Sequence, residues 1–165
     1  MPDQVDAPRP SAPPKSPSVV DFVEALPEPN RELARHVLLG TFNRWGDPVG
    51  FHHAPGRVPP PGRHIDRILK TFDNGAYVAT VSFYDPERGW VEKPHPTTMF
   101  PDRWTSEDVM RAGREAYALV VHRWESDVGV NRPWSATGGR MPIAGRHRRD
   151  RPGPATFYPK EHAGR

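Results

Sequence analysis

"HVLLGTFNRWGDPVGFHHAP", residues 36–55, is the stretch on which the fold turns. Two apolar runs, "HVLLGTFN" and "PVGFHHAP", flank "RWGD", whose glycine and aspartate suit a turn. Pairing 36–42 with 48–54 through that turn would let the imidazoles of His36, His52 and His53 meet at one edge of a sheet. On a strand His52 and His53 would point to opposite faces. Just upstream, "RELARHVLLG" places Leu33, Ala34, Val37 and Leu38 at helical spacing. That spacing predicts either a short helix entering the core around His36 or a helix that turns into a strand there.

Working outward, residues 1–18 are proline-rich ("APRPSAPPKSP") and read as an extended tail or linker, because proline lacks the backbone donor and blocks helix. Residues 19–165 read as one domain. A short helix is expected from Val19 to Leu26. "HIDRILKTFDNGAYVATVSFYDPERGWVEK" contains three strand-like runs, with turns at "DNG" and "DPERG". "WTSEDVMRAGREAYALVVHRW" is the best helix of the chain. Thr105 and Asp108 have the spacing of a capping box, and Val109, Ala112, Ala116, Leu119 and Val120 share a face. "GRMPIAGRHRRDRPGPATFYP" reads as a final hairpin turning at "DRPG". Helices and antiparallel strands in this order make an α+β pattern.

The chain has 165 residues, a formal charge of +3 and a sequence pI of about 9.5. That balance favours an acidic partner such as nucleic acid, and is equally compatible with plain solubility. With no cysteine, disulfides, cysteine nucleophiles and thiolate zinc sites are excluded. No apolar run is long enough to anchor the chain in a membrane, and the N-terminus lacks the apolar core of a signal peptide. The expected place of action is the cytoplasm, or a target cell reached by export within a larger protein.

Two imidazoles, one neutral and one protonated, supply a general base and a general acid near neutral pH. One reaction that needs this pair is RNA transesterification, in which the 2′-hydroxyl attacks the adjacent phosphorus and the 5′-oxygen leaves. A nearby cation must then meet the phosphorane charge, and Lys93, Arg57 and Arg63 are candidates. Histidines on a hairpin also serve as ordinary surface or packing residues, and spacing alone does not choose. A metal is not expected, because His52 and His53 diverge on a strand and no HExxH or carboxylate cluster accompanies them. "GRHRRDR", residues 145–151, offers Arg146, Arg148 and Arg149 for phosphate contacts or forms a solvated loop. Thr97 and Thr98 end a strand or donate a hydroxyl to a base or phosphate. Phe157 and Tyr158 alternate, so that one packs in the core and the other can stack a base. The five tryptophans read as packing residues.

"RHVLLGTF", "VGFHH", "GAYVATVSF", "TTMFPDRWTSEDVMRAGREAYA" and "ATFYP", in that order, resemble the bacterial EndoU nuclease family over about residues 33–160. The ending "TFYPK" is also similar to the end of the coronavirus uridylate-specific endoribonuclease. The resemblance implies a compact nuclease fold shared with barnase-like and RelE-like toxins, an antiparallel sheet with packed helices. It implies an RNA endonuclease, with tRNA among the candidate substrates, that leaves a 2′,3′-cyclic phosphate and needs no cofactor. The family's two catalytic histidines fall on His36 and His52, and its hydroxyl residue on Thr97 or Thr98. Its late tyrosine falls on Tyr158. Its lysine falls on Lys93, four residues before Thr97, with Arg57 the second choice. His53 stands where the family often has a small polar residue, and it joins Arg57, Arg146 and Arg148 as a substrate contact. Such domains form the C-terminal toxins of polymorphic and contact-dependent inhibition systems, which implies a cognate immunity protein.

Overall fold

The computed structural model describes residues 17–121, 132–148 and 153–160. Helices α1 (Pro17–Glu24) and α2 (Asn30–Ala34) lead into one turn of π-helix (Arg35–Leu39). A short ladder of β1 (Thr41–Phe42) and β2 (Pro48–Val49) follows, then a 3-10 turn (Pro55–Arg57). Next come β3 (Arg63–Thr71), β4 (Tyr77–Asp85), β5 (Gly89–Glu92) and β6 (Thr97–Met99). Helix α3 (Ser106–Ala118) precedes β7 (Arg132–Gly138), β8 (Met141–His147) and β9 (Pro154–Pro159). All described strand pairs are antiparallel, and the architecture is α+β.

Local chemistry accounts for most of these elements. The "DNG" and "DPERG" turns close β3 on β4 and β4 on β5, with Thr71 opposite Tyr77 and Asp85 opposite Gly89. Both ends of the α3 capping box are made: the Thr105 hydroxyl accepts from the Asp108 amide at 3.0 Å, and the Asp108 carboxylate accepts from the Thr105 amide at 2.9 Å. Such a cap stabilises a helix by about 1 kcal/mol. Buried Val109, Ala112 and Ala116 are the face that the spacing predicts. Leu119, expected on that face, is instead more than half exposed, because the helix ends at Ala118 and Tyr117 takes the inward position.

Two apolar clusters form the interior. One lies between the helices and the β7–β8–β9 sheet, with Phe100 and Phe157 at its centre. The other lies on the β3–β6 sheet, around Phe51, Tyr77 and Phe83. Helix α3 approaches β9 closely enough that a Cβ at Gly113 would collide with the Phe157 ring. Trp134 is buried, but Trp45, at the tip of the β1–β2 turn, is 71% exposed, with the Arg44 guanidinium over its ring. Trp124 lies outside the described residues.

Three further expectations change. The C-terminal hairpin is a three-stranded sheet, β7–β8–β9. Its first strand contains Pro133, tolerated because β7 is an edge strand. The expected α1 over residues 19–26 begins and ends two residues earlier. The ladder drawn over residues 36–42 and 48–54 shrinks to Thr41↔Val49 and Phe42↔Pro48. Gly50 and Phe51 are both left-handed (φ 78° and 65°), which turns the chain out of the ladder after Val49. Of the tail expected over residues 1–18, only the last two residues are described, as the start of α1. No described helix is long and apolar enough to cross a membrane.

Candidate active site

His36 sits on the π-turn, not on a strand. The turn is closed by the Gly40 amide, which donates to the Arg35 carbonyl at 2.8 Å and to the His36 carbonyl at 3.1 Å. Single π-turns of this kind are enriched at functional sites. The left-handed pair Gly50–Phe51 then lays the next segment against it. The Phe51 amide donates to the His36 carbonyl at 3.0 Å, and the His52 amide to the Val37 carbonyl at 2.6 Å. The two histidines are therefore brought together by backbone bonds between a helix end and a loop. Gly50 is required at this contact: a Cβ there would run into the His36 carbonyl oxygen.

His52 is buried, 7% exposed, and its ring is oriented by β6. Nδ1 lies 2.9 Å from the Thr98 carbonyl oxygen and 3.0 Å from the Thr97 hydroxyl. A carbonyl only accepts, so Nδ1 carries the proton and donates. In the neutral ring Nε2 then keeps the lone pair, the tautomer a general base requires. The Thr97 hydroxyl in turn donates to the Phe51 carbonyl at 3.5 Å. Thr97, 2% exposed, thus orients His52, while the side chain of Thr98 borders the groove.

Lys93 follows β5 and reaches over the same loop, Nζ donating to the Gly50 carbonyl at 3.0 Å. Burial lowers its pKa to about 8, leaving it mostly cationic at neutral pH. Its charge acts on both imidazoles. Burial first and Lys93 second hold His36 down at about 4, and the same causes hold His52 well below 6.5, with the Thr98 hydrogen bond opposing them. Both rings are accordingly neutral in the unliganded protein at pH 7.

These side chains border one open groove of about 950 Å³. Tyr158 stands over its floor, the ring 5.4 Å from that of His52. Arg146 and Lys160 also border it. Of the residues singled out in the sequence, His36, His52, Lys93, Thr97, Thr98, Tyr158 and Arg146 meet here. Phe157 is fully buried beneath them, as the alternation with Tyr158 requires. Arg148 borders a neighbouring cavity that also reaches His36. Arg149 lies outside the described residues.

Two residues grouped as substrate contacts are placed elsewhere. His53 is 1% exposed and turned away from the groove toward the start of α3. Neither ring nitrogen makes a hydrogen bond of normal geometry, although backbone groups of Trp104 and Pro101 and the carboxylates of Asp108 and Asp102 lie near enough to favour its charged form. Burial outweighs them and lowers its pKa to about 4. Arg57 pairs with Asp102 at 3.4 Å and lies over the Tyr77 ring, outside the groove. Arg63, the third candidate cation, is held by the carbonyls of Leu39, Gly62 and Gly40, a structural role.

Sequence reasoning missed Thr156. It borders the groove two residues before Tyr158, and its hydroxyl is buried with no partner among the described residues. The alternation that placed Tyr158 outward places Thr156 outward as well, a signal available from "ATFYP".

The sequence model of the family described as bacterial EndoU nuclease matches residues 30–161, a span that holds every residue of the groove. No curated protein matches the chain.

Proposed function

The chain belongs to the bacterial EndoU nuclease family, and on that premise we propose that it is an RNA endonuclease that uses the substrate's own 2′-hydroxyl as nucleophile. The reading is carried by one observation: the backbone bonds from Phe51 and His52 to the π-turn bring a base-competent His52 and His36 to one groove with Lys93.

His52 Nε2 takes the proton from the 2′-hydroxyl, and that oxygen attacks the adjacent phosphorus. Lys93 meets the charge that builds on the non-bridging oxygens. His36 gives a proton to the departing 5′-oxygen, leaving a 2′,3′-cyclic phosphate. The bound phosphodiester supplies what His36 lacks in the free protein: an anion beside the ring opposes the effect of Lys93 and favours the imidazolium. Tyr158 offers a face on which the base stacks, and Arg146 contacts phosphate.

The test is to incubate the protein with mixed RNA and analyse the new ends. Cyclic phosphate ends are expected, a single 2′-deoxy sugar at the cut should block cleavage, and excess chelator should leave the rate unchanged. Cleavage of the deoxy-substituted strand would refute the mechanism. RNA binding without cleavage would make this a binding domain on a nuclease fold.

The same reading makes the chain a toxin that acts on RNA, tRNA included, in the cytoplasm of a target cell. Its producer then needs an inhibitor, and an acidic protein fits the arginines at the groove, where opposite charge speeds association. Co-purification from the native host with such a partner is expected; recovery of active, unpartnered enzyme counts against it.

A further inference from the structure

The catalytic groove is not the only recess that reaches His36. On its other side opens a cavity of about 500 Å³, bordered by Asn30, Leu33, His147, Arg148 and Ala155. His36, Arg146 and Thr156 border both recesses, whereas His52, Lys93 and Tyr158 border the groove alone. A break in the β8–β9 ladder shapes the second cavity. Arg146 pairs with Thr156 and His147 with Pro154, so Ala155 is an extra residue without a partner. Past such a bulge the strict alternation of faces is lost, and the consecutive residues Arg146, His147 and Arg148 all border the cavity. The His147 ring is fixed there by Tyr117 of α3, whose hydroxyl lies 2.6 Å from Nδ1. The two rings are also stacked, 20° from parallel.

We infer that this second cavity is the subsite for the nucleotide on the 3′ side of the cut, the part of the strand that leaves with a 5′-hydroxyl. The inference rests on the transesterification proposed above. In an in-line displacement the attacking and leaving oxygens lie on opposite sides of the phosphorus. The attacking oxygen belongs at His52, within the groove, so the leaving oxygen belongs at His36, and the nucleotide attached to it lies beyond His36. That is where the cavity opens. Its volume falls in the range of small-ligand sites. Its walls suit the ligand: Leu33 and Ala155 are apolar, Asn30 and Glu32 offer donors and acceptors to a base edge, and Arg148 can meet the next phosphate.

The experiment uses strands of 2′-deoxynucleotides carrying one ribonucleotide, each of the four bases in turn, so that the cut is fixed. On its 3′ side the ribonucleotide carries a phosphate methyl ester, one nucleoside, or one nucleoside with a further phosphate; a parallel series lengthens the 5′ side instead. The expected kcat/KM rises about tenfold or more from methyl ester to 3′ nucleoside and changes less with 5′ additions. In Ala155→Trp, which fills the cavity, and in Arg148→Gln, which removes a charge at an exposed position and whose folding is checked by circular dichroism, the advantage of the 3′ extension should shrink toward one. An advantage that survives both substitutions, or arises from 5′ additions alone, overturns the assignment. So does an equal loss on all substrates, which would make Arg148 a general attraction for polyanions. Failure of the wild-type protein to cut any RNA would instead refute the nuclease chemistry itself, and the subsite with it.

Discussion

The amide of Phe51 donates to the carbonyl of His36 at 3.0 Å. This bond joins a loop residue in the left-handed region to the π-turn, and it sets the histidine on each segment at the same groove. The expected outcomes below follow from it and from the groups packed around it.

Replacing His36 or His52 by alanine should lower the rate of RNA cleavage by about a hundredfold or more, the scale of general acid–base catalysis. Circular dichroism should show both variants folded. A His36→Ala protein that cleaves at the normal rate would remove His36 from the mechanism.

Gly50→Ala should damage the site without touching a reactive group. Its φ of 78° is costly for alanine, and the new methyl would press on the His36 carbonyl. A stability loss on the order of 1–3 kcal/mol is expected from denaturant unfolding, together with a loss of cleavage. A fully stable and active variant would show that the loop does not depend on this close approach.

Lys93→Met should raise the pKa of His36, read by NMR titration of its imidazole. The lysine charge lowers that pKa from one side, and burial lowers it from every side. The value should therefore climb from about 4 yet remain below 6.5. No change would place the ammonium too far away to serve a phosphate held beside His36.

His53→Leu should flatten the acid side of the stability profile. Folded His53 stays neutral down to about pH 4, whereas the unfolded chain takes up its proton near 6.5. Between those values the unfolded state binds more protons, so stability falls as pH drops from 6.5 toward 4. With the ring removed, the difference in unfolding free energy between pH 7 and pH 5 should shrink by up to about 2 kcal/mol. Cleavage should persist, because the ring lies away from the groove. An unchanged pH 7 to pH 5 difference would contradict its burial as a neutral group.

The family resemblance and much of the framework were legible in the sequence because their signals are local. The Thr105–Asp108 box, the Asn-Gly turn and the alternation of Phe157 with Tyr158 each depend on residues a few positions apart. The same alternation puts Thr156 on the face of Tyr158, but only the fold leaves its hydroxyl buried without a partner among the described residues. The edge strand β7 was hidden because Pro133 argues against a strand until its neighbour is known.

The order of motifs along the chain was enough to point to the bacterial EndoU nuclease family, and its histidines, lysine, threonines and tyrosine could be picked out as candidates. Tertiary structure alone decided which of them share a groove. His52 and His53 are adjacent and chemically identical, yet one borders the groove and the other is sealed beneath the start of α3. That choice depends on two left-handed residues and on amides that find carbonyls of a distant helical turn. Backbone hydrogen bonds between segments leave no mark in side-chain periodicity, because every residue but proline carries the same donor and acceptor.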